Sequence, residues 1–230
     1  MNVVILQPSY IPWRGYFDQI RRADLFLFYD DVQYDKHGWR NRNQIKGAQG
    51  KQWLTIPVHS HGVTAGIPIN QVRIDWSKAW PTNHLKALTF AYSKAPHFDR
   101  YLGLIQKFYA RRDEFLSSFT IDLTIALTHE LGIDQTRFMC SSDIPGLEGQ
   151  KTDRLIQILK SVEATHYISG PSAVDYLEPD KFEAAGITLE FMEYNYPEYP
   201  QLYPPYDPFI TILDLLFMVG PESRDYLAPR

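Results

Sequence analysis

Val3-Val4-Ile5-Leu6, then Tyr16-Phe17-Asp18-Gln19-Ile20-Arg21-Arg22, then Leu25-Phe26-Leu27-Phe28-Tyr29: these three stretches decide how the chain folds. The outer two are short and continuously apolar, the pattern of strands buried on both faces. The middle one sets Tyr16, Phe17 and Ile20 at helical spacing. Read together they are strand, loop, helix, strand. A β-α-β unit of this kind predicts a parallel sheet with helices packed on it.

Moving outward, residues 52–58 and 67–75 predict a strand pair, with Gly62 and Gly66 in the turn region between them. The middle of the chain changes period. Phe98, Tyr101, Leu102, Ile105, Phe108 and Tyr109 recur at three and four residues, as do Leu116, Phe119, Leu123, Leu127 and Leu131 before the stop at Gly132. The α/β alternation then returns, with strands predicted at 136–140, 165–168 and 187–194. Helices are predicted at 153–162 and 179–185, and an apolar one at 210–218. The expectation is a single α/β domain over 1–230, a Rossmann-like three-layer fold with a mostly parallel sheet and a helical insertion across about 80–132.

Composition bounds the function. Of 230 residues, 44% are hydrophobic and 22% charged, an ordinary globular balance, and the formal charge of −4 gives no global field for nucleic acid. Cys140 is the only cysteine, which excludes an intramolecular disulfide and zinc sites built on paired cysteines. Met1-Asn2-Val3-Val4-Ile5-Leu6-Gln7 has neither the basic start nor the apolar length of a signal peptide. No segment reaches the roughly 20 apolar residues that span a bilayer, so a soluble, cytoplasmic protein without membrane insertion is expected. Aromatic content is high at 14%, with 15 Tyr and 5 Trp, side chains suited to stacking on sugars and bases.

In a parallel sheet, ligands bind beyond the carboxyl ends of the strands, and three strand ends carry chemistry. The loop Gln7-Pro8-Ser9-Tyr10-Ile11-Pro12-Trp13-Arg14-Gly15 leaves strand one and enters helix one, where a helix N-terminus favours anions. Gln7, Tyr10, Trp13 and Arg14 offer donors and stacking faces there, and Gly15 permits close approach; a proline-braced connection with Trp13 as core plug is the plainer reading. Asp30-Asp31-Val32-Gln33 follows strand two, and adjacent carboxylates can act as a base; in extended chain Asp30 and Asp31 point to opposite faces, so one reaches the site. Trp39-Arg40-Asn41-Arg42-Asn43-Gln44-Ile45-Lys46 reads as a phosphate clamp, with Arg40 and Arg42 sharing one face and Lys46 nearby, or else as a solvated basic strand. The loop from Gln7 to Tyr16 is expected to share one pocket with Asp30, Asp31, Arg40, Asn41 and Arg42. His84 opens a helical region and is a candidate base. Ser169-Gly170 after a strand is a further rim. No metal site is expected: His59-Ser60-His61 lacks a third ligand in register. Walker and GxGxxG motifs are absent.

The run from Gln7 through Asp18, with Asp24-Leu25-Phe26, Tyr29-Asp30-Asp31-Val32-Gln33-Tyr34 and Trp39 through Lys46, resembles the WbqC-like family. So do Trp53-Leu54-Thr55-Ile56-Pro57-Val58, Tyr92-Ser93-Lys94-Ala95-Pro96, Lys151-Thr152, Tyr167-Ile168-Ser169-Gly170 and Asp214-Leu215-Leu216-Phe217, so the resemblance covers nearly the whole chain. Met218 stands where the family usually has Asn. The resemblance implies a bacterial protein of O-antigen and related lipopolysaccharide biosynthesis, with a nucleotide-linked sugar, often an amino sugar, as ligand. The leading expectation is a transferase that moves an N-acyl or aminoacyl group onto that sugar, from an acyl thioester donor. Arg40, Arg42 and Lys46 would hold the diphosphate, Tyr10 and Trp13 would stack on base or sugar, and His84 or Asp30 would take the amine proton. Two alternatives stand beside it: a nucleotidyl-transferase-like enzyme using ATP with Mg²⁺, although no HxGH motif is present, and a non-catalytic sugar-nucleotide-binding protein.

Overall fold

A computed structural model describes residues 1–59 and 66–228. Strand β1 (Asn2–Leu6) runs into helix α1 (Arg14–Arg22) and returns as β2 (Leu25–Phe28), the predicted β-α-β unit. A hairpin of β3 (Arg42–Gly47) and β4 (Gly50–Thr55) follows, then the helical block α2 (Trp80–Tyr92), α3 (Phe98–Ala110) and α4 (Leu116–Glu130). The alternation resumes with β5 (Arg137–Cys140), α5 (Lys151–Ser161), β6 (His166–Ser169), α6 (Pro179–Ala184) and β7 (Thr188–Phe191), and ends in α7 (Ile212–Val219).

The five strands outside the hairpin form one sheet in the order β5-β2-β1-β6-β7, parallel at every pairing. The fold is thus α/β with an all-parallel sheet and a helical block in mid-chain. Because side chains alternate across a strand, β1 feeds two cores. Val4 faces a large core with Phe17, Phe26, Leu123 and Leu216; Val3 and Ile5 face a smaller one with Leu155, Ile158 and Phe182 from α5 and α6. Each such large apolar side chain, fully buried, contributes roughly 1.5–3 kcal/mol.

One predicted pairing is corrected. Residues 52–58 overlap β4, but its partner is β3, with Arg42 opposite Thr55 and Gly47 opposite Gly50. Residues 67–75 make only isolated bridges, Pro68 with Gln33, Ile74 with Val58 and Arg73 with Phe115, around a 3-10 turn at Ile69–Gln71. Pro68 has no N–H to give to a ladder, while Ile69, Val72 and Ile74 are consumed by the core. The hairpin is possible because Gly50 takes φ +100°. Gly62 and the residues Ser60 and His61 of the sequence triplet lie outside the described residues.

Candidate functional site

Strand order locates the site. From β1 the chain passes through α1 to β2 on one side, and from β5 it crosses through α5 to β6 on β1's other side. Connections leaving in opposite directions open a crevice at the carboxyl ends of the central strands, the usual ligand position in such sheets. A cleft of about 250 Å³ lies there, beginning at Leu6 and Gln7 of β1's end.

The loop after β1 is held in a costly shape. Ile11 has φ +44°, a region that a β-branched residue rarely enters. Asn43 pins it: its Nδ2 donates to the carbonyls of Tyr10 at 3.1 Å and Ile11 at 2.6 Å. The Tyr10 N–H donates to Trp39 O at 3.1 Å, and Ile212 N–H to Pro12 O at 2.9 Å. Backbone strain of this kind concentrates at functional loops. The loop delivers Trp13 to the start of α1, where no side chain caps the helix. The indole folds back over Gly15, where a Cβ would stand 2.2 Å from the ring. Gly15 therefore makes room for Trp13 rather than for a ligand's direct approach.

Trp13, Tyr16, Trp39 and Phe209 give the cleft aromatic walls, while Gln7, Ser9, Arg40 and Asn43 are its polar groups. Arg40 Nη1 donates to Gln7 Oε1 at 2.5 Å, and its buried Nε has no partner. Among the described residues it forms no ion pair, and burial pulls its pKa down from the ordinary value. A half-buried guanidinium bonded to a neutral amide, with the Asp35 carboxylate near but not paired to it, keeps capacity for an anion. Tyr16 donates its hydroxyl to Gln7 O at 3.1 Å, and burial pushes its pKa upward.

Thus Gln7, Trp13, Trp39 and Arg40 of the predicted site meet in one cleft, with Gly15 behind Trp13. The other predicted residues are placed elsewhere. Tyr10 is wholly buried and bonded to Tyr109 and to His84 Nδ1 at 2.9 Å, so its ring cannot stack on a ligand. His84 Nε2 meets Thr55 O at 3.2 Å. A carbonyl only accepts, so Nε2 carries the proton and Nδ1 accepts from Tyr10. Burial lowers the His84 pKa to about 4. With both nitrogens engaged inside the helical core, the imidazole has no lone pair for a substrate amine.

The carboxylates are also occupied. Asp30 accepts from Ser142 N at 3.1 Å and Ser142 Oγ at 2.8 Å; Asp31 pairs with Arg154 at 2.6 Å and accepts from Ser141 Oγ at 2.5 Å. These bonds tie β2's end to β5's, and Asp30 lines a separate polar depression with Cys140 and Ser142. Asn41 is buried and donates to Ile56 O at 2.8 Å. Arg42 does not converge with Arg40, because residues 38–41 bend rather than extend and the two-residue rule fails there. It lies over Trp53, 4.5 Å from the ring centroid, and donates to Gly38 O at 3.3 Å. Lys46 is buried among Gln201 and Pro205. Arg14, also buried, donates to Pro197 O at 2.7 Å and Tyr206 Oη at 2.6 Å, fastening the Tyr- and Pro-rich segment that follows β7. Gln33 is exposed beside Pro68 and Gly66. Ser169 and Gly170 sit at β6's end, where a Gly170 Cβ would be 3.3 Å from Tyr194 Oη; Tyr194 in turn packs edge-on against Trp13 at 4.8 Å. They stand behind the cleft wall rather than on it.

Ser9, Tyr16 and Asn43 complete the lining from the same two stretches that supply Gln7, Trp13, Trp39 and Arg40. Phe209 arrives from 196 positions beyond Trp13, and no local pattern announces it. No group of three or more His, Cys, Asp or Glu among the described residues could hold a metal ion, and no described helix is long and apolar enough to cross a membrane.

An uncharacterized protein of Mycobacterium tuberculosis, Rv1507c, is 42% identical over 228 residues, covering 98% of this chain and 97% of that protein. No solved structure matches. The profile of the WbqC-like protein family matches residues 7–226, from the first cleft residue after β1 to the last turns of the chain, and the protein belongs to that family.

Proposed function

We propose that the cleft binds a nucleotide-linked amino sugar, and that the protein transfers an acyl or aminoacyl group onto it in the synthesis of a bacterial surface polysaccharide. The observation that carries the reading is Arg40: a guanidinium that forms no ion pair among the described residues, in an aromatic-walled cleft at the point where the strand order reverses. A phosphate supplies the missing charge, and a guanidinium takes it through a bidentate fork. The start of α1 borders the same cleft through its N-cap Trp13 and through Tyr16, and the helix dipole there favours an anion. Gln7 and Ser9 suit sugar hydroxyls.

One observation favours a second reading, sugar-nucleotide binding without turnover. Among the described residues the cleft's lining holds no carboxylate, imidazole, thiol or lysine, so none of them takes a proton from an attacking amine unless the second substrate brings the base. Calorimetric titration with nucleoside-diphosphate-linked amino sugars tests binding, and mass spectrometry after adding an acyl thioester, or ATP with Mg²⁺, tests turnover. We expect binding by the intact chain and a loss of at least tenfold in Arg40→Ala. Binding with no product from either donor selects the second reading; no binding of any nucleotide-linked sugar removes both.

A further inference from the structure

The hairpin carries an aromatic surface that the cleft alone does not explain. Trp39 and Trp53 are 45% and 42% exposed, with ring centroids 5.3 Å apart and planes 35° from parallel. Arg42 and Trp53 are diagonal neighbours on the hairpin's outer face, since Arg42 pairs with Thr55 and Gln44 with Trp53. The guanidinium over Trp53 completes a column of one cation and two indoles. Leu54 and Ile45, on the opposite face, are buried in the core. The column is anchored from behind and open in front. Two half-exposed indoles side by side at the rim of a cleft suit a ligand surface.

Trp39 also lines the cleft, so the column starts where the cleft ends. Pockets that enclose a whole ligand of drug size run from about 300 to 1,000 Å³. At about 250 Å³ this cleft holds part of a nucleotide-linked sugar, and the remainder must lie on adjoining surface. Resting on the nucleotide-linked-sugar reading above, we propose that the Trp39–Trp53 shelf is the nucleobase subsite, with the diphosphate crossing at Arg40 and the sugar inside the cleft. The chemistry of the two halves sets this orientation. Gln7 and Ser9 put an amide and a hydroxyl inside, where hydroxyls need partners. The shelf offers mainly π faces, edged by indole N–H groups, and Arg42 turns its Nε and Nη2 to the carbonyls of Gly38 and His37. A π face takes any base by stacking, without reading its edge.

Two probes separate the halves: uridine diphosphate for the nucleoside end and a hexosamine 1-phosphate for the sugar end, each titrated calorimetrically into the full chain. Trp53→Ala is expected to weaken uridine diphosphate about tenfold and to leave hexosamine 1-phosphate within twofold. Trp53→Phe, which keeps an aromatic plane, is expected to hold uridine diphosphate within about threefold. Unchanged uridine diphosphate binding in Trp53→Ala overturns the proposal, and so does an equal loss for both probes. An equal loss in Trp53→Phe and Trp53→Ala assigns the effect to hairpin shape and also overturns it. If the unaltered protein binds neither probe, the nucleotide-linked-sugar reading itself falls; if it binds both and Trp53→Ala binds as well, only the shelf falls.

Discussion

Two polar clusters lie on opposite sides of the loop that follows β1, and they are built on opposite terms. At His84 both ring nitrogens are matched in a closed chain: Tyr109 donates to Tyr10, Tyr10 to His84, and His84 to a backbone carbonyl. Around Arg40 the count is left open, with an unpartnered Nε and a neutral amide in place of a counter-ion. Buried polar groups in a stable core are satisfied, and the exceptions point to function. Residue type alone ranks histidine above arginine as the catalytic candidate. Bonding state reverses that order.

The contrast predicts which property each cluster controls. Tyr10→Ala empties an aromatic box that also contains Phe119 and His84 and strands the His84 acceptor. It should cost about 3–5 kcal/mol of stability, as other large aromatic truncations do, measured by urea denaturation. Arg40→Ala should do the reverse, costing about 1.5–3 kcal/mol of affinity for a phosphorylated ligand with little change in the unfolding midpoint. If Tyr10→Ala unfolds like the parent, or Arg40→Ala melts far below it, the division between a structural and a binding cluster is mistaken.

Gly15→Ala sharpens the comparison at the boundary between the two. In an ordinary helix that exchange gains up to about 1 kcal/mol. Here the new Cβ would meet the Trp13 ring at 2.2 Å, and overpacking of this kind costs about 1–3 kcal/mol. We expect a lower melting temperature and a changed tryptophan emission as the indole is displaced. A stabilised variant would show that Trp13 moves aside freely and is not a fixed wall.

How far the sequence announces this arrangement depends on how local the cause is. The β1-α1-β2 unit is legible because strands buried on both faces are apolar throughout, and α3 and α4 because each repeats its apolar stripe at three and four residues. The hairpin is misread since Arg42-Asn43-Gln44-Ile45-Lys46 is polar by type, yet β3 buries Asn43, Ile45 and Lys46. Asn43 is spent on the strained Ile11 loop, a purpose that only proximity reveals. The cleft's half from residues 7–16 follows from strand order and is foreseeable. Phe209 is not, because it reaches the cleft on a segment fastened by Arg14 and Lys46, whose charges look in sequence like ligand-binding groups. His84 fails for the same reason in reverse: nothing in Asn83-His84-Leu85 signals that Tyr10 and Thr55 will enclose it.

The smallest predicted effect is one that vanishes in the intact protein. His84 is held at about 4 by burial, below its ordinary 6.5. Between those values the unfolded chain binds a proton that the folded one refuses, so stability rises with pH across that window. Asp214, buried among Tyr92, Tyr199 and Gln201, is pushed by burial in the other direction, from 3.8 to about 6. Between those values the folded chain keeps a proton that the unfolded one has lost, so this contribution falls as pH rises. Each shift of two units or a little more corresponds to about 3 kcal/mol. The windows overlap from about pH 4 to 6, and there the two slopes oppose each other. The intact protein should therefore show a nearly flat stability between pH 4 and 6 wherever other groups are quiet. Asp214→Asn leaves the His84 term alone, and its unfolding free energy should climb with pH over that range. His84→Gln leaves the Asp214 term alone and should decline. Denaturant titrations at half-unit pH steps decide it: parallel profiles for both variants and the parent would mean that neither group is held as its surroundings require.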